Sequence, residues 1–306
     1  MMDSGLLNLN DDIKEALNTN KPLVALESTL ISHGLPYPQN FEVAQSSINV
    51  IKKTGSIPVI IGIIEGKIKV GLDNEDIKIF SKSKNIEKVS IHNLALSLSN
   101  KKYAATTVAS TIYIASKIGI KFFATGGIGG VHLEAEKTFD VSSDLNELSK
   151  TTMYIVCSGA KSILDLDKTY EKLESLGIPR IGFNTNFMPG FWYYQTNRKV
   201  DYNFTDINEL INYLHTCDQI KQKGSVLIFN PIEKDKAIDK SKINLWINES
   251  LKKAKLNKIY GKDLTPFLIK EINTCSQNLS LKSNMDLIIN NAKLAGKLAV
   301  TYKKLV

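Results

Sequence analysis

Between Ala124 and Asp165 the chain carries a glycine run, Thr125-Gly126-Gly127-Ile128-Gly129-Gly130, then His132, two aspartates, Asp140 and Asp144, and Lys161. Glycines after a short apolar strand let the backbone curl and present N–H groups to an anion. Their spacing matches neither the dinucleotide fingerprint nor a Walker loop. Asp140 follows Phe139 in an apparent tight turn, a place that suits a hard divalent cation such as Mn²⁺ or Mg²⁺ held by one or two carboxylates and waters. Lys161 reads as the first residue of a helix. There a cation opposes the macrodipole, which favours the neutral, imine-forming amine. Each residue also has a structural reading: Asp144 and Glu147 have capping-box spacing, a lone histidine is commonly a hydrogen-bonder, and a helix-start lysine is commonly a solvated charge.

These residues need elements to position them. Leu23 to Leu26 is an apolar run of strand length that delivers Glu27 to a strand exit. Ser32 to Asn40, with two prolines and a glycine, reads as a turn-rich loop, with Asn40 capping a helix whose apolar face is Phe41, Ala44, Ile48 and Ile51. Residues 57–64 and 67–70 read as a hairpin around Glu65-Gly66 at an antiparallel edge. Residues 104–119 read as one helix with Thr106 and Thr107 in its first turn, where N–H groups and hydroxyls suit a phosphate or simple threonine capping. Strands at 122–124, 153–157, 181–183 and 226–229 alternate with helices at 161–176, 205–221, 242–255, 265–273 and 283–305. An aromatic loop at 188–194 would wall a pocket or pack a subunit interface. This alternation is that of an α/β protein, in which ligands gather beyond the carboxyl ends of the strands, where Glu27, the glycine run and Lys161 all fall. No repeat, linker or composition break divides the chain, so residues 1–306 are expected to form a single domain.

The net charge of +8 comes mostly from dispersed lysines with no basic-aromatic repeat, which argues against a nucleic-acid groove and for a field that attracts a phosphorylated substrate. Cys157, Cys217 and Cys275 lie far apart without metal-ligand spacing, as expected in a reducing compartment. The apolar stretch at 59–64 is far short of the roughly 20 residues of a membrane span. The acidic first residues resemble neither a secretory signal nor a transit peptide, so a cytoplasmic protein is expected.

Taken together, Ala25 to Thr29, Ser32 to Asn40, Thr125 to His132, Thr138 to Asp140, Cys157 to Asp165, Lys262 to Leu268 and Asn290 to Ala292 resemble the pseudouridine-5'-phosphate glycosidase family, also called pseudouridylate synthase and related to indigoidine synthase A. The resemblance spans nearly the whole chain. It implies a three-layer α/β/α fold with a central mixed sheet, a homotrimer, and reversible joining of uracil and ribose 5-phosphate into pseudouridine 5'-phosphate with Mn²⁺ as cofactor. By motif, Lys161 is the lysine that bonds ribose C1', Glu27 the proton donor and Asp140 the metal ligand. Lys88, Val108, Ser142, Ser143 and Asp144 match substrate contacts. Thr107, Thr125 and His132 would surround the phosphate, and Asn284 would meet the uracil edge. The chain departs from the family where Leu133-Glu134 replaces a usual arginine after the histidine, where Ile91-His92-Asn93 replaces an Arg-Arg-Asp-like stretch, and in the aromatic loop. Some relatives carry a fused sugar kinase; here a separate pseudouridine kinase is the implied pathway partner. Two rivals stand beside this reading: a class I aldolase-like lyase that forms the same imine on another sugar phosphate, and a non-catalytic sugar-phosphate or RNA-binding protein.

Overall fold

The computed structural model of the chain describes residues 4–259 and 264–306; Lys262 and Asp263 of the C-terminal motif lie outside the described residues. Leu23-Val24-Ala25-Leu26-Glu27 is buried at every position, the pattern of a parallel strand covered on both faces. It lies inside a mixed sheet of eleven strands among the described residues. In chain order these are β1 (Leu7–Leu9), β2 (Leu23–Glu27), β3 (Ile57–Ile64), β4 (Lys67–Val70), β5 (Glu87–Val89), β6 (Ala104–Thr106), β7 (Phe122–Ala124), β8 (Tyr154–Cys157), β9 (Arg180–Phe183), β10 (Tyr202–Phe204) and β11 (Val226–Phe229). The sheet runs β1-β4-β3-β2-β7-β8-β11-β9-β10, and β6 with β5 branches from β3. The antiparallel pairs are β3 with β4 and β3 with β6.

The helices are α1 (Asp11–Asn18), α2 (Gln39–Lys53), α3 (Asn74–Lys82), α4 (Leu94–Ser99), α5 (Val108–Lys117), α6 (Ala135–Thr138), α7 (Ser143–Lys150), α8 (Leu166–Ser175), α9 (Ile207–Gln219), α10 (Lys240–Leu256), α11 (Leu264–Cys275) and α12 (Leu279–Leu305). Alternate residues of β2 feed two cores. Leu23 and Ala25 pack with α5, α7, α8, α10 and α11; Val24 and Leu26 pack with α2, α3, α9 and the later turns of α12. The fold is therefore three-layered, as expected. Each leucine or isoleucine buried on those faces contributes about 1.5–3 kcal/mol. Gly296 lets α12 approach α2: a Cβ there would stand 2.4 Å from Thr54 Oγ1, and Ser56 Oγ donates to the Gly296 carbonyl at 2.8 Å.

Several local expectations are corrected. The hairpin is not an edge, because β1 adds in parallel to β4. Asn40 is not the N-cap of α2 but sits in its first turn, where its Oδ1 accepts from the Phe41 N–H at 2.7 Å; its amide donates to the carbonyls of Ile31 (2.7 Å) and Ser81 (2.9 Å), tying the preceding loop to α3. That loop contains one π-helical turn over Leu30–Gly34, and α2 already starts at Gln39. Residues 104–119 are two elements: Ala104–Thr106 is strand β6, and Thr107 is the N-cap of α5, its side chain accepting from the Ser110 N–H. Lys161 does not open a helix. The residues after β8 bond elsewhere, Lys161 N to the Ile128 carbonyl at 3.1 Å and Ser162 Oγ to the Gly190 carbonyl at 2.6 Å. The helix starts at Leu166 with Asp165 as N-cap, so the macrodipole argument for Lys161 does not apply.

Candidate active site

The site grows from an end-to-end meeting of two strands. β3 pairs in parallel with β2 through residues 57–61 and antiparallel with β6 at residues 62–63. Because β4 already takes the opposite edge of β3, β2 and β6 share one edge and run toward each other. Their ends are bolted together: Thr106 N–H donates to Ser28 Oγ at 2.9 Å, Thr106 Oγ1 donates to the Ile61 carbonyl at 2.7 Å, and Thr29 Oγ1 donates to the Ala105 carbonyl at 3.3 Å. Whatever ends or follows either strand faces the same opening, Glu27 from β2 and Thr107-Val108 from β6. β5 lies parallel to β6 and places Lys88 beside them, while β7 and β8 deliver Thr125 and the Lys161 loop from the same end of the sheet.

The opening is a cavity of about 720 Å³ lined by Glu27, Lys88, Thr107, Val108, His132, Asp140, Ser142, Ser143, Asp144 and Lys161. A narrower chamber of about 50 Å³ continues from it, sharing Glu27, Lys88 and Lys161 and adding Thr125 and Asn284. Every residue given a site role by the family resemblance thus lines one connected site, whereas Thr106, paired with Thr107 as a phosphate candidate, does not: it is fully buried and its hydroxyl donates to the Ile61 carbonyl. Sequence reasoning missed other members. His33 and Thr29 follow Glu27 in the same motif, and Leu30, Ile269 and Pro266 give the inner chamber apolar walls together with Phe191, the one residue of the aromatic loop that does wall the pocket as expected. The motif Ser32-His33-Gly34 was the available signal for His33; nothing local marks Ile269.

Part of the glycine run is engaged within the chain: Ile128 donates to the Gly159 carbonyl, Gly129 to Asp144 Oδ2 at 2.9 Å and Val131, just after the run, to Thr169 Oγ1 at 2.9 Å, while the N–H groups of Gly126, Gly127 and Gly130 have no acceptor among the described residues. Ile128 bridges to Ala160 on one side and Val131 to Val141 on the other, so the segment is a splint between the Lys161 loop and the Asp140 loop. The glycines are there because neighbours fill the space of a side chain. A Cβ would stand 2.7 Å from the Phe191 ring at Gly127, 2.2 Å from Ser142 Oγ at Gly129 and 2.4 Å from Thr169 Oγ1 at Gly130.

Asp144 is not the N-cap of α7; Ser142 is. The Asp144 carboxylate instead accepts from the Ala109 N–H and from the Gly129 N–H, both at 2.9 Å, joining the first turn of α5 to the splint. The Ser110 N–H goes to Thr107, and no acceptor among the described residues takes the N–H of Val108. Two helix N-termini, those of α5 and α7, therefore border the cavity next to Lys88, an arrangement suited to an anion.

Glu27 is 8 % exposed, and Thr125 Oγ1 donates to its Oε1 at 2.6 Å. Burial pushes its carboxyl above the usual range; the Lys161 charge and the Thr125 hydrogen bond pull back, and Asp144 adds to the rise. The net rise suits a group that must hold a proton and give it up. Lys161 Nζ, half-buried, has no hydrogen-bond or ion-pair partner among the described residues. It is an uncommitted amine facing a buried acid. Burial drives His132 below its ordinary value, the Asp140 carboxylate opposes this, and the charges of Lys88 and Lys161 push the same way as burial. His33 is likewise lowered by burial and by Lys88, against a hydrogen bond with the Ile86 backbone.

No cluster of three or more His, Cys, Asp or Glu residues arranged for a metal occurs among the described residues. Asp140 Oδ2 lies 3.8 Å from His132 Nδ1, and its side chain is one-third exposed. A lone, accessible carboxylate fits a hydrated Mn²⁺ or Mg²⁺ that keeps most of its waters, and it does not fit a closed all-protein cage.

The family described as Indigoidine synthase A like protein matches residues 12–301. A pseudouridine-5'-phosphate glycosidase from Brachyspira hyodysenteriae is 45 % identical over 299 residues, 98 % of this chain and 97 % of the relative. One from Staphylococcus aureus is 46 % identical, covering 96 % of both. Among solved structures, a prealnumycin C-glycosynthase in complex with ribulose 5-phosphate superposes with a TM-score of 0.91 at 34 % identity, covering 99 % of each chain. An indigoidine synthase A-like protein from Thermotoga maritima gives 0.86 at 33 % identity, over 92 % of this chain and 94 % of that one. With sequence, fold and the ends of the sheet in agreement, the chain belongs to the indigoidine synthase A-like family.

Proposed function

We propose that the chain is a pseudouridine-5'-phosphate glycosidase, reversibly cleaving the carbon-carbon bond of pseudouridine 5'-phosphate to uracil and ribose 5-phosphate. The observation that carries the reading is the pairing of a buried Glu27, whose carboxyl is pushed upward by burial, with the uncommitted amine of Lys161 on one cavity. A carbon-carbon glycoside has no leaving-group oxygen to protonate, so the two-carboxylate route of ordinary glycosidases is closed. Glu27 protonates the ring oxygen, the C1'–O4' bond opens, and Lys161 adds to C1'. The adduct nitrogen gives a proton back to the Glu27 carboxylate, that proton is delivered to uracil C5, and the freed nitrogen lone pair breaks the C1'–C5 bond, leaving a protonated imine on Lys161. Water adds to C1' and releases ribose 5-phosphate and the free amine.

Residue roles follow from placement. The phosphate is bound by Lys88, the Val108 N–H, and the hydroxyls of Thr107, Ser142 and Ser143, with neutral His132 beside them. Asn284 meets the uracil edge in the inner chamber, where Phe191 and Leu30 pack on its ring. Asp140, with waters, would hold Mn²⁺, whose charge would offset that of the sugar phosphate. The assembly is a homotrimer, in keeping with the exposed apolar side chains of Phe139, at 86 %, Val141 and Leu96, the last two of which line the cavity. A pseudouridine kinase supplies the substrate. The protein is cytoplasmic, in keeping with three free cysteines and with no helix among the described residues long and apolar enough to cross a membrane.

The test is uracil release from pseudouridine 5'-phosphate with Mn²⁺, by the intact protein and by Lys161→Ala. Release that the variant abolishes is expected; no release by the intact protein refutes the function, and full activity of the variant refutes the lysine route. Borohydride trapping at Lys161 serves the aldolase-like rival equally well, so the substrate decides between them.

A further inference from the structure

We propose that Thr125 is the positioning residue that aims the Glu27 proton, and that Asn291 holds Thr125 in place to do so. The sequence points Thr125 toward a phosphate. The structure places its hydroxyl hydrogen on Glu27 Oε1 at 2.6 Å instead. A hydroxyl has one hydrogen to donate, so with Oε1 accepting, the acid's own proton belongs on Oε2. That oxygen has no partner among the described residues and is not among the sealed, unpartnered polar atoms, so it is open to the cavity that Glu27 lines.

The donor is itself fixed from behind. Asn291, 0 % exposed, donates through Nδ2 to the Thr125 carbonyl at 2.8 Å and to Ser158 Oγ at 3.0 Å, and its Oδ1 accepts from Asn230 Nδ2 at 3.0 Å. Ser158 Oγ donates in turn to the Asn230 carbonyl at 2.8 Å. One buried amide thus joins the residues that follow β7, β8 and β11. The first carries Thr125 and the second leads to Lys161, so the acid and the amine share a single anchor on α12. A misaimed proton in such a site is worth about a hundredfold in rate.

This inference rests on the proposed reaction only through its activity readout. Three proteins are compared: the intact chain, Thr125→Val, which keeps the shape without the donor, and Thr125→Ser, which keeps the donor. In Thr125→Val, kcat should fall about 10- to 100-fold with little change in KM. The limb of the pH–rate profile that reports loss of the Glu27 proton should move to higher pH, because the hydrogen bond to the carboxylate is gone. Thr125→Ser should restore both. An unmoved limb, or a fall in kcat that tracks only lost thermal stability, overturns the proposal. Infrared difference spectra provide a second reading that needs no turnover: the protonated-carboxyl band, assigned to Glu27 by its loss in Glu27→Gln, should shift in Thr125→Val and not in Thr125→Ser. An unshifted band overturns the proposal even if the intact protein releases no uracil, an outcome that by itself bears on the reaction alone.

Discussion

Asp144 separates two ideas about the cavity wall, because the sequence marks it as a substrate contact and the structure uses both its oxygens inside the chain. Replacing it by alanine leaves the Ala109 N–H fully buried and the Gly129 N–H partly buried, each without an acceptor. An orphaned buried donor costs about 1–3 kcal/mol, and the half-buried one falls near the low end, so the loss comes to about 2–4 kcal/mol. For a chain of this size that corresponds to a fall in Tm of roughly 3–6 °C. Asp144→Asn keeps one acceptor but turns an amide N–H toward a backbone N–H, so it should recover less than half of the loss. Thermal unfolding of the protein without substrate is the assay, run beside steady-state kinetics. If Asp144 is the bolt between α5 and the splint, both variants lose stability and kcat together. A variant with unchanged Tm and only a raised KM would refute the bolt and leave Asp144 as a plain substrate ligand.

Two further outcomes follow from the same contacts. Gly296→Ala should destabilise: alanine in a helix interior ordinarily gains up to about 1 kcal/mol over glycine, but a Cβ 2.4 Å from Thr54 Oγ1 forces overpacking worth about 1–3 kcal/mol. A denaturant midpoint that rises in the variant would show that α2 and α12 have room to separate. Glu27 should make stability fall with pH. Its folded value is raised by burial, so the native state holds the proton where the unfolded chain has released it; the contribution is full below the ordinary carboxyl range and is lost as pH rises through the raised value. Glu27→Gln, which cannot ionise, should flatten that part of the stability profile, and an unchanged slope would count against a protonated Glu27.

Much of the fold was legible because burial leaves its mark on composition. The apolar runs of β2, β7, β8 and β11 read as strands of an α/β protein, and Glu27 stood out as a charge closing one of them. The misreadings have definite physical causes. Ala104-Ala105-Thr106 is buried on both faces, as is the start of α5, so an apolar pattern with helical spacing runs unbroken across a strand, a cap and a helix. The five residues from Lys161 to Asp165 carry helix-compatible side chains, but the Lys161 N–H and Ser162 find partners in the splint and the aromatic loop, and those bonds outcompete the first helical turn. The glycine run has the composition of an anion nest, yet what requires glycine there is contact with Phe191, Ser142 and Thr169, residues up to 64 positions away in the chain, which local spacing does not reveal.

The two asparagines of α12 show how the same residue type is put to opposite uses. Asn284 and Asn291 are seven residues apart, two helical turns, and so share a face. Asn291 satisfies its amide fully among the strand ends. Asn284 lines the inner chamber and makes no hydrogen bond among the described residues, and its Oδ1 is sealed from solvent. An unpaired buried carbonyl costs about 1–3 kcal/mol, a penalty that a leucine of similar size would avoid. A helix that already places a completed amide two turns on has no structural need for a second, incomplete one. On the proposed reaction, the hydrogen bonds left open on Asn284 are the ones the uracil edge would take up, from a chamber that Phe191, Leu30, Glu27 and Lys161 also line.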